Sequence, residues 1–243
     1  MMKRNLRAFG RVLLAASAMS IAVVSAAQAE PAEFTGAWYP TAITGAQEGI
    51  TNYFEITGGT KVECNPATYE ATLGGGSGSL TVTPHYTGCT SSGINATVNL
   101  NGCHYILEAG TYVSWSDSAQ GSLIVACPKG AAIQLTTGGI CRVDIGPQTL
   151  NGVTYTNIAA GATTPHDYVT VHVDATNEVK YTETDLSFFC PGTDNHTTEN
   201  GAFVARVRLK GYEDESTLEN LNTPGTNHYF HSITEMDIGV RGT

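Results

Sequence analysis

The chain has 243 residues, of which 12 are basic and 22 acidic, and its formal net charge at pH 7 is −10. This length allows one sizeable all-β domain or two small ones, with a hydrophobic core in either case. A negatively charged surface repels nucleic acid and anionic lipid, so the composition excludes both as partners.

The N-terminal segment, residues 1–29, is predicted to be a cleaved signal peptide. Four basic residues between positions 3 and 11 precede a small-to-apolar run over 12–26, and Ala-Gln-Ala at 27–29 matches a signal peptidase site. The run is shorter than the roughly 20 residues that a membrane-spanning helix needs. We therefore expect an exported protein, either secreted and extracellular or held in the cell envelope, with no membrane insertion after cleavage. Its mature part would carry 8 basic and 22 acidic residues, a net charge of −14.

Segments typical of strands with one buried face dominate the rest of the chain. Apolar and polar residues alternate with the two-residue period of a half-buried strand. The clearest alternations are Ile94, Ala96, Val98 and Leu100; Val169, Val171 and Val173; and Phe203, Ala205, Val207 and Leu209. Glycine-rich and Asn-Gly turns separate these segments, and only residues 212–221 fit a short helix as well as they fit an acidic loop. The pattern predicts an all-β fold, either an antiparallel β-sandwich or a partly open barrel.

A regular cysteine spacing indicates a weak internal duplication. Cys64, Cys127 and Cys190 are 63 residues apart, each ends an apparent strand, and a proline follows each of them closely. An equal period is typical of repeated units, although three equal gaps also arise by chance. The segment 157–166, rich in Ala, Gly, Thr and Pro, would divide two β-rich lobes over 30–157 and 158–243. The alternative is one continuous β domain over 30–243.

The six cysteines are predicted to form up to three disulfides. An even number of cysteines in an exported chain favours disulfides, and the absence of any C-x-x-C pair argues against zinc. Cys127–Cys141 is the first pairing that we expect, because a hairpin would bring the two together, and Cys64–Cys89 is the second. Cys103 and Cys190 are the remaining members of the set. Each closed loop of this size is worth about 3 kcal/mol in the chain-entropy model.

One acidic segment is a candidate calcium site. Glu213, Asp214, Glu215 and Glu219 lie close together, and carboxylate oxygens are the ligands that Ca²⁺ prefers outside the cell. The segment lacks the D-x-D-x-D-G frame of an EF-hand loop, so a solvated acidic loop is the alternative reading. No other metal or cofactor is expected.

No catalytic residue can be assigned from the sequence. Ser77 lies between two glycines but lacks the G-x-S-x-G frame of a nucleophile elbow. Trp38, Trp115 and the 11 tyrosines would serve glycan binding if they were exposed, although most of them are expected to pack in the core.

The cysteine-bearing strands resemble a group of secreted, β-rich bacterial proteins of unknown function. The similar segments are 79–89 (SLTVTPHYTGC), 95–103 (NATVNLNGC), 121–128 (GSLIVACP), 146–155 (GPQTLNGVTY) and 190–192 (CPG), within a resemblance over residues 54–212. The resemblance implies an exported, disulfide-bonded β scaffold. It implies no activity, ligand or site residue.

Together these features predict an exported, acidic, non-catalytic β-rich protein that acts as an extracellular binding or surface-structural module. An extracellular glycan or an envelope component is the expected kind of partner. The alternative is a secreted hydrolase that acts on polysaccharide or ester substrates.

Overall fold

The computed structural model describes residues 30–56, 59–138, 141–158, 168–185, 196–213, 235–236 and 238–243. The predicted signal peptide, residues 1–29, lies outside them, and so does Cys190. Within the described part of the chain, no helix is long and apolar enough to cross a membrane.

The described residues form 17 β-strands and one short 3-10 helix, Ser114–Ser116. The strands are β1 (Glu30–Gly36), β2 (Thr41–Gln47), β3 (Asn52–Ile56), β4 (Thr60–Cys64), β5 (Ala67–Leu73), β6 (Ser79–Tyr86), β7 (Thr90–Ser91), β8 (Ile94–Asn99), β9 (His104–Val113), β10 (Ser118–Ala126), β11 (Ile133–Thr137), β12 (Cys141–Ile145), β13 (Gln148–Ile158), β14 (Tyr168–Asp185), β15 (His196–Glu213), β16 (Glu235–Met236) and β17 (Ile238–Gly242). The predicted all-β class is therefore confirmed.

All the strands pair antiparallel, and the pairs close into a ring-like sheet rather than a regular barrel. One closed circuit, which we call the first ring, runs β2–β5–β6–β9–β10–β13–β14–β15 and back to β2. The long β14–β15 hairpin then continues beyond this circuit. Its outer half joins a second circuit, the second ring, which runs β14–β12–β11–β8–β7–β4–β3–β15.

The shared hairpin explains how one sheet makes two rings. In β14, residues 168–173 pair with β13, whereas residues 182–185 pair with β12. In β15, residues 207–213 pair with β2, whereas residues 202–204 pair with β3. Strands from both predicted lobes therefore lie in one sheet. The division into lobes and the duplication behind it stay predictions.

Side chains fill the first ring. The alternations at 169–173 and 203–209 are confirmed, because their apolar residues are all buried. The cavity that remains has a volume of about 20 Å³ and is lined by apolar side chains with Tyr69 and Tyr105. Such a cavity has room for about one water molecule, so the interior of the first ring is a filled core.

The first and last described strands close one end of the first ring. β1 pairs with β17, and β17 contacts β9, β10, β13, β14 and β15, so the two-stranded ribbon crosses the end of the ring. Phe34 on β1 is fully buried and meets the Tyr155 ring edge-on, with centroids 5.2 Å apart. The Tyr155 hydroxyl donates to the Ser122 carbonyl at 2.9 Å. The ribbon thus adds an aromatic layer to the core.

Buried amide and tyrosine side chains complete the junction of the two rings. Asn52, on β3, lies where β15 changes partner from β3 to β2, and its Oδ1 accepts from the Arg206 backbone N–H at 3.1 Å. Its Nδ2 donates to the Tyr69 hydroxyl at 2.8 Å. Asn52 therefore pairs a backbone group that would otherwise lie between two diverging strands, where an unpaired donor is costly.

The disulfides correct one predicted pairing. Cys64 is bonded to Cys89, as predicted, but Cys127 is bonded to Cys103 and not to Cys141. Cys103 and Cys127 directly flank the last β9–β10 pair, so the hairpin brings them face to face. Cys141 lies opposite Thr137, at the far end of β11 from Cys127, and it is disulfide-bonded as well.

Candidate functional site

The second ring encloses an apolar cavity with a volume of about 310 Å³. Six strands and their turns supply its lining, so the cavity depends on the second ring being closed. The lining residues are Ile56, Thr60, Val62, Ser91, Ser92, Ile94, Leu135, Thr137, Gly138, Cys141 and Val143. Its lining is mostly apolar, unlike that of two larger and more open clefts among the described residues, and it lies at the outer end of the ring, away from the filled core.

The depth of the cavity follows from the burial of its lining. Val62, Leu135 and Val143 are buried and form its floor. Ser92 and Ile94 are exposed and form its rim, where the cavity opens to solvent. The inward positions of β4, β11 and β12 alternate with outward ones, so each of these short strands contributes one floor residue and one residue nearer the rim.

A tight hairpin shapes one side of the rim. β7 and β8 are joined by Ser92 and Gly93, which have φ values of 50° and 79°. Two consecutive left-handed residues are the signature of a type I′ turn, and glycine adopts this conformation at low cost. The turn places Ser91 opposite Ile94, so both side chains reach the cavity from adjacent strands.

The shortest strand pairing of the second ring, β4 with β7, lies beside the same hairpin, and we call it the seam. β4 and β7 share a single residue pair, Glu63 with Thr90. The Cys64–Cys89 disulfide joins the residues next to this pair. The covalent bond therefore holds the seam where the backbone ladder is too short to do so.

The polar groups of the lining are hydroxyls. Thr60, Ser91, Ser92 and Thr137 supply them, and Ser91 is only 3% exposed. None of the described residues that line the cavity carries a charge. A hydroxyl both donates and accepts a hydrogen bond, so this lining is suited to a neutral polar group on an otherwise apolar molecule.

The largest pKa shifts belong to buried tyrosines of the first ring and not to residues of the cavity. Burial raises the pKa of Tyr69 to about 12, and burial with neighbouring tyrosines raises that of Tyr86 well above its usual value. The hydroxyls of Tyr86 and Tyr105 lie 2.9 Å apart, and burial also raises the pKa of Tyr105. These groups stay protonated at neutral pH and act as hydrogen-bonding members of the core.

The candidate calcium residues are not tested by the structure. The backbone of Glu213 ends β15, while Asp214, Glu215 and Glu219 lie outside the described residues. Among the residues that the structure does describe, no group of three or more His, Cys, Asp or Glu side chains is arranged to hold a metal ion. The calcium site stays a prediction.

The two tryptophans lie at the opposite end of the molecule from the cavity. Trp38, between β1 and β2, is 70% exposed, and Trp115, between β9 and β10, is 84% exposed. Both loops belong to the end of the first ring that the β1–β17 ribbon covers. The tyrosines divide differently: those of the core are buried, and Tyr39 beside Trp38 is 43% exposed.

Sequence reasoning missed the cavity because its residues look like core residues. Ile94 begins a regular alternation with Ala96 and Val98, which predicts a buried side chain, yet Ile94 is 55% exposed at the rim. The Ser-Gly turn before it is the available signal. The first residue of a strand that follows a two-residue turn lies at the end of a hairpin, where solvent can reach its side chain.

No family model, no curated protein and no solved structure matches this chain. The resemblance of residues 54–212 to secreted bacterial proteins therefore stays a prediction. A function can be proposed only from the geometry of the cavity.

Proposed function

We propose that this protein is an exported, non-catalytic binding protein that holds a small ligand in the cavity of the second ring. The observation that carries the proposal is the cavity itself. Its volume of about 310 Å³ lies at the small end of the range of roughly 300–1,000 Å³ that is typical of small-molecule sites. Its mostly apolar lining, with a few hydroxyls, also has the composition of such sites.

In this proposal the first ring supplies stability and the second ring supplies the binding cavity. The first ring has a filled core and is closed by the β1–β17 ribbon, so it supplies a rigid support. The second ring is anchored to it through the β14–β15 hairpin and keeps a space that side chains do not fill. Burial of apolar ligand surface in that space, at about 25 cal/mol per Å², supplies the driving force for binding.

The disulfides support the exported location. Cys64–Cys89 and Cys103–Cys127 indicate an oxidising environment, because thiols are kept reduced in the cytosol. The predicted signal peptide and the acidic composition agree with release to the cell exterior or the envelope. Secretion is thus part of the proposal.

Fluorescence of a neutral apolar probe, N-phenyl-naphthylamine, tests the proposal on the oxidised protein. Titration is expected to show saturable binding with a single site. Ile94→Trp places an indole at the rim and is expected to weaken binding by at least about tenfold. Thr137→Trp, on the neighbouring strand of the rim, is expected to do the same.

Thr97→Trp is the matched control. Thr97 lies on β8 like Ile94, but it is exposed on the outer face of the strand. This variant is expected to bind the probe as the parent protein does. Absence of saturable binding to the parent protein, or equal binding by all three variants, would overturn the proposal. Circular dichroism verifies that each variant is folded.

A further inference from the structure

We infer that the ligand is a neutral aliphatic molecule with a single hydroxyl or carbonyl group. This inference rests on the proposed function and narrows it to a chemical class. The class follows from three properties of the cavity: the absence of charge in its described lining, the aliphatic character of its floor, and the position of its hydroxyls.

The lining disfavours a charged ligand. No lysine, arginine, aspartate or glutamate is among the described lining residues, so an ion in the cavity would lose water without gaining a partner. The formal net charge of −10 further opposes an anion, since the field of the whole chain repels it. A neutral ligand avoids both costs.

The floor favours an alkyl group over a sugar. The apolar lining residues Ile56, Val62, Leu135 and Val143 are all aliphatic, and Ile94 at the rim is aliphatic too. No described aromatic ring lines the cavity, so a sugar face would have no stacking partner here. The many hydroxyls of a sugar would also outnumber the few polar groups available.

The hydroxyls fix the orientation of the ligand. Ser91 and Thr137 lie on β7 and β11, on either side of β8, and Thr137 is two residues nearer the outer end of its strand than the floor residue Leu135. A ligand with its alkyl group on Val62, Leu135 and Val143 therefore keeps its polar group beside these side chains. One ligand oxygen at this level can accept from a serine or threonine hydroxyl.

Displacement of N-phenyl-naphthylamine by four molecules of equal chain length tests the class. Octanol and methyl octanoate are neutral, whereas octanoate and octylammonium are charged at pH 7. We expect each neutral molecule to displace the probe at a concentration at least about tenfold lower than either ion. Equal displacement by octanoate, or no displacement by octanol while the probe itself binds, would overturn the inference and leave the cavity as a binding site.

A charge placed at the rim gives the second measurement. Thr137→Lys supplies a cation beside the inferred position of the polar group, and it is expected to improve displacement by octanoate at least about tenfold relative to octanol. Thr97→Lys adds the same charge on the outer face of the neighbouring strand and is expected to leave the preference unchanged. An equal effect of both variants would show a general charge effect and would contradict the inferred orientation.

Discussion

The side-chain amide of Gln148 bonds to both backbone groups of Lys180. Its Nε2 donates to the Lys180 carbonyl at 2.9 Å, and its Oε1 accepts from the Lys180 N–H at 2.8 Å. Lys180 lies where β14 leaves β13 and has not yet joined β12, so the amide takes the place of a missing ladder pair. On β15, the Oδ1 of Asn52 accepts from the Arg206 N–H alone, since its Nδ2 donates to Tyr69. Each strand of the shared hairpin thus has one side-chain amide at its fork, which is the point where the strand changes from one partner strand to the next.

The two fork amides are expected to differ in their contribution to stability. Gln148→Ala leaves groups of Lys180 that water can reach, so the free energy of unfolding should fall by about 1 kcal/mol. Asn52 is only 1% exposed, and Asn52→Ala leaves the part-buried Arg206 N–H without its acceptor and removes the bond to the buried Tyr69 hydroxyl, which keeps its bond to Tyr86. We expect a loss of about 3 kcal/mol for this variant. Urea unfolding measures both values, and equal losses would contradict the fork interpretation.

The Cys64–Cys89 and Cys103–Cys127 disulfides are expected to contribute equally to stability but unequally to binding. They close loops of 25 and 24 residues, so each is worth about 3.5 kcal/mol in the chain-entropy model. The double variant Cys64→Ala with Cys89→Ala also opens the β4–β7 seam beside Ser91. It should therefore weaken binding of N-phenyl-naphthylamine by about tenfold or more.

The double variant Cys103→Ala with Cys127→Ala is the control for the seam. These cysteines flank the β9–β10 hairpin and none of them lines the cavity. The control should lose a similar free energy of unfolding yet bind the probe almost normally under conditions where it is folded. Equal loss of probe binding in both double variants would show that the seam has no special role.

The local periodicity of the sequence predicts the strands, but it does not predict how the strands close into two rings. Val169, Val171 and Val173 alternate and are buried as predicted, because each strand buries one face whatever its neighbour is. The change of partner along β14 depends on pairing between residues that are far apart in the chain. A local pattern holds no information of that kind, so the two rings could not be predicted.

The roles of residues at the points where strands change partner could not be predicted, for a related reason. Gln148 and Asn52 are ordinary polar residues in the sequence, and their roles depend on Lys180 and Arg206, 32 and 154 residues away. The Cys127–Cys141 prediction assumed that nearness in sequence decides pairing. The register of β9 and β10 decides it instead, since it brings Cys103 opposite Cys127.

Alkaline pH is expected to destabilise the protein through its buried tyrosines. The pKa of Tyr69 is about 12 in the folded protein, above the usual value of 10, because burial disfavours the phenolate. Between these values the unfolded chain has lost the proton and the folded protein has kept it. Stability is therefore fully present below pH 10 and is lost as the pH rises toward 12. Each such tyrosine contributes a slope of up to about 1.4 kcal/mol per pH unit.

Urea unfolding at pH 9 to about 11.5 measures this slope. Tyr69→Phe removes one titrating hydroxyl and is expected to make the slope shallower by up to about 1.4 kcal/mol per pH unit, while lowering stability at neutral pH through the lost Asn52 bond. A slope that Tyr69→Phe does not alter would contradict the assignment.

The β1–β17 ribbon is expected to open locally when Asn157 is replaced. Asn157 is buried at the end of β13, and its amide bonds to both backbone groups of Val240, at 2.7 and 2.8 Å. It also donates to the Asp117 carboxylate at 2.6 Å. Asn157→Ala leaves the buried backbone groups of Val240 without these bonds, so opening of the ribbon should become easier by about 2–3 kcal/mol. Amide exchange in β1 and β17 should then be about 30- to 150-fold faster.

Hydrogen exchange with mass spectrometry resolves where the effect falls. Exchange in β3, β4, β11 and β12 should be unchanged, because these strands close the second ring and do not contact the ribbon through Asn157. Thr35→Ala removes only a long bond of 3.5 Å within the ribbon, from Thr35 on β1 to the Gly239 carbonyl on β17, so it should have little effect on exchange anywhere. If Asn157→Ala accelerated exchange equally in both rings, the ribbon would be an integral part of the global fold. A selective effect instead means that the ribbon opens as a separate unit while the cavity stays closed.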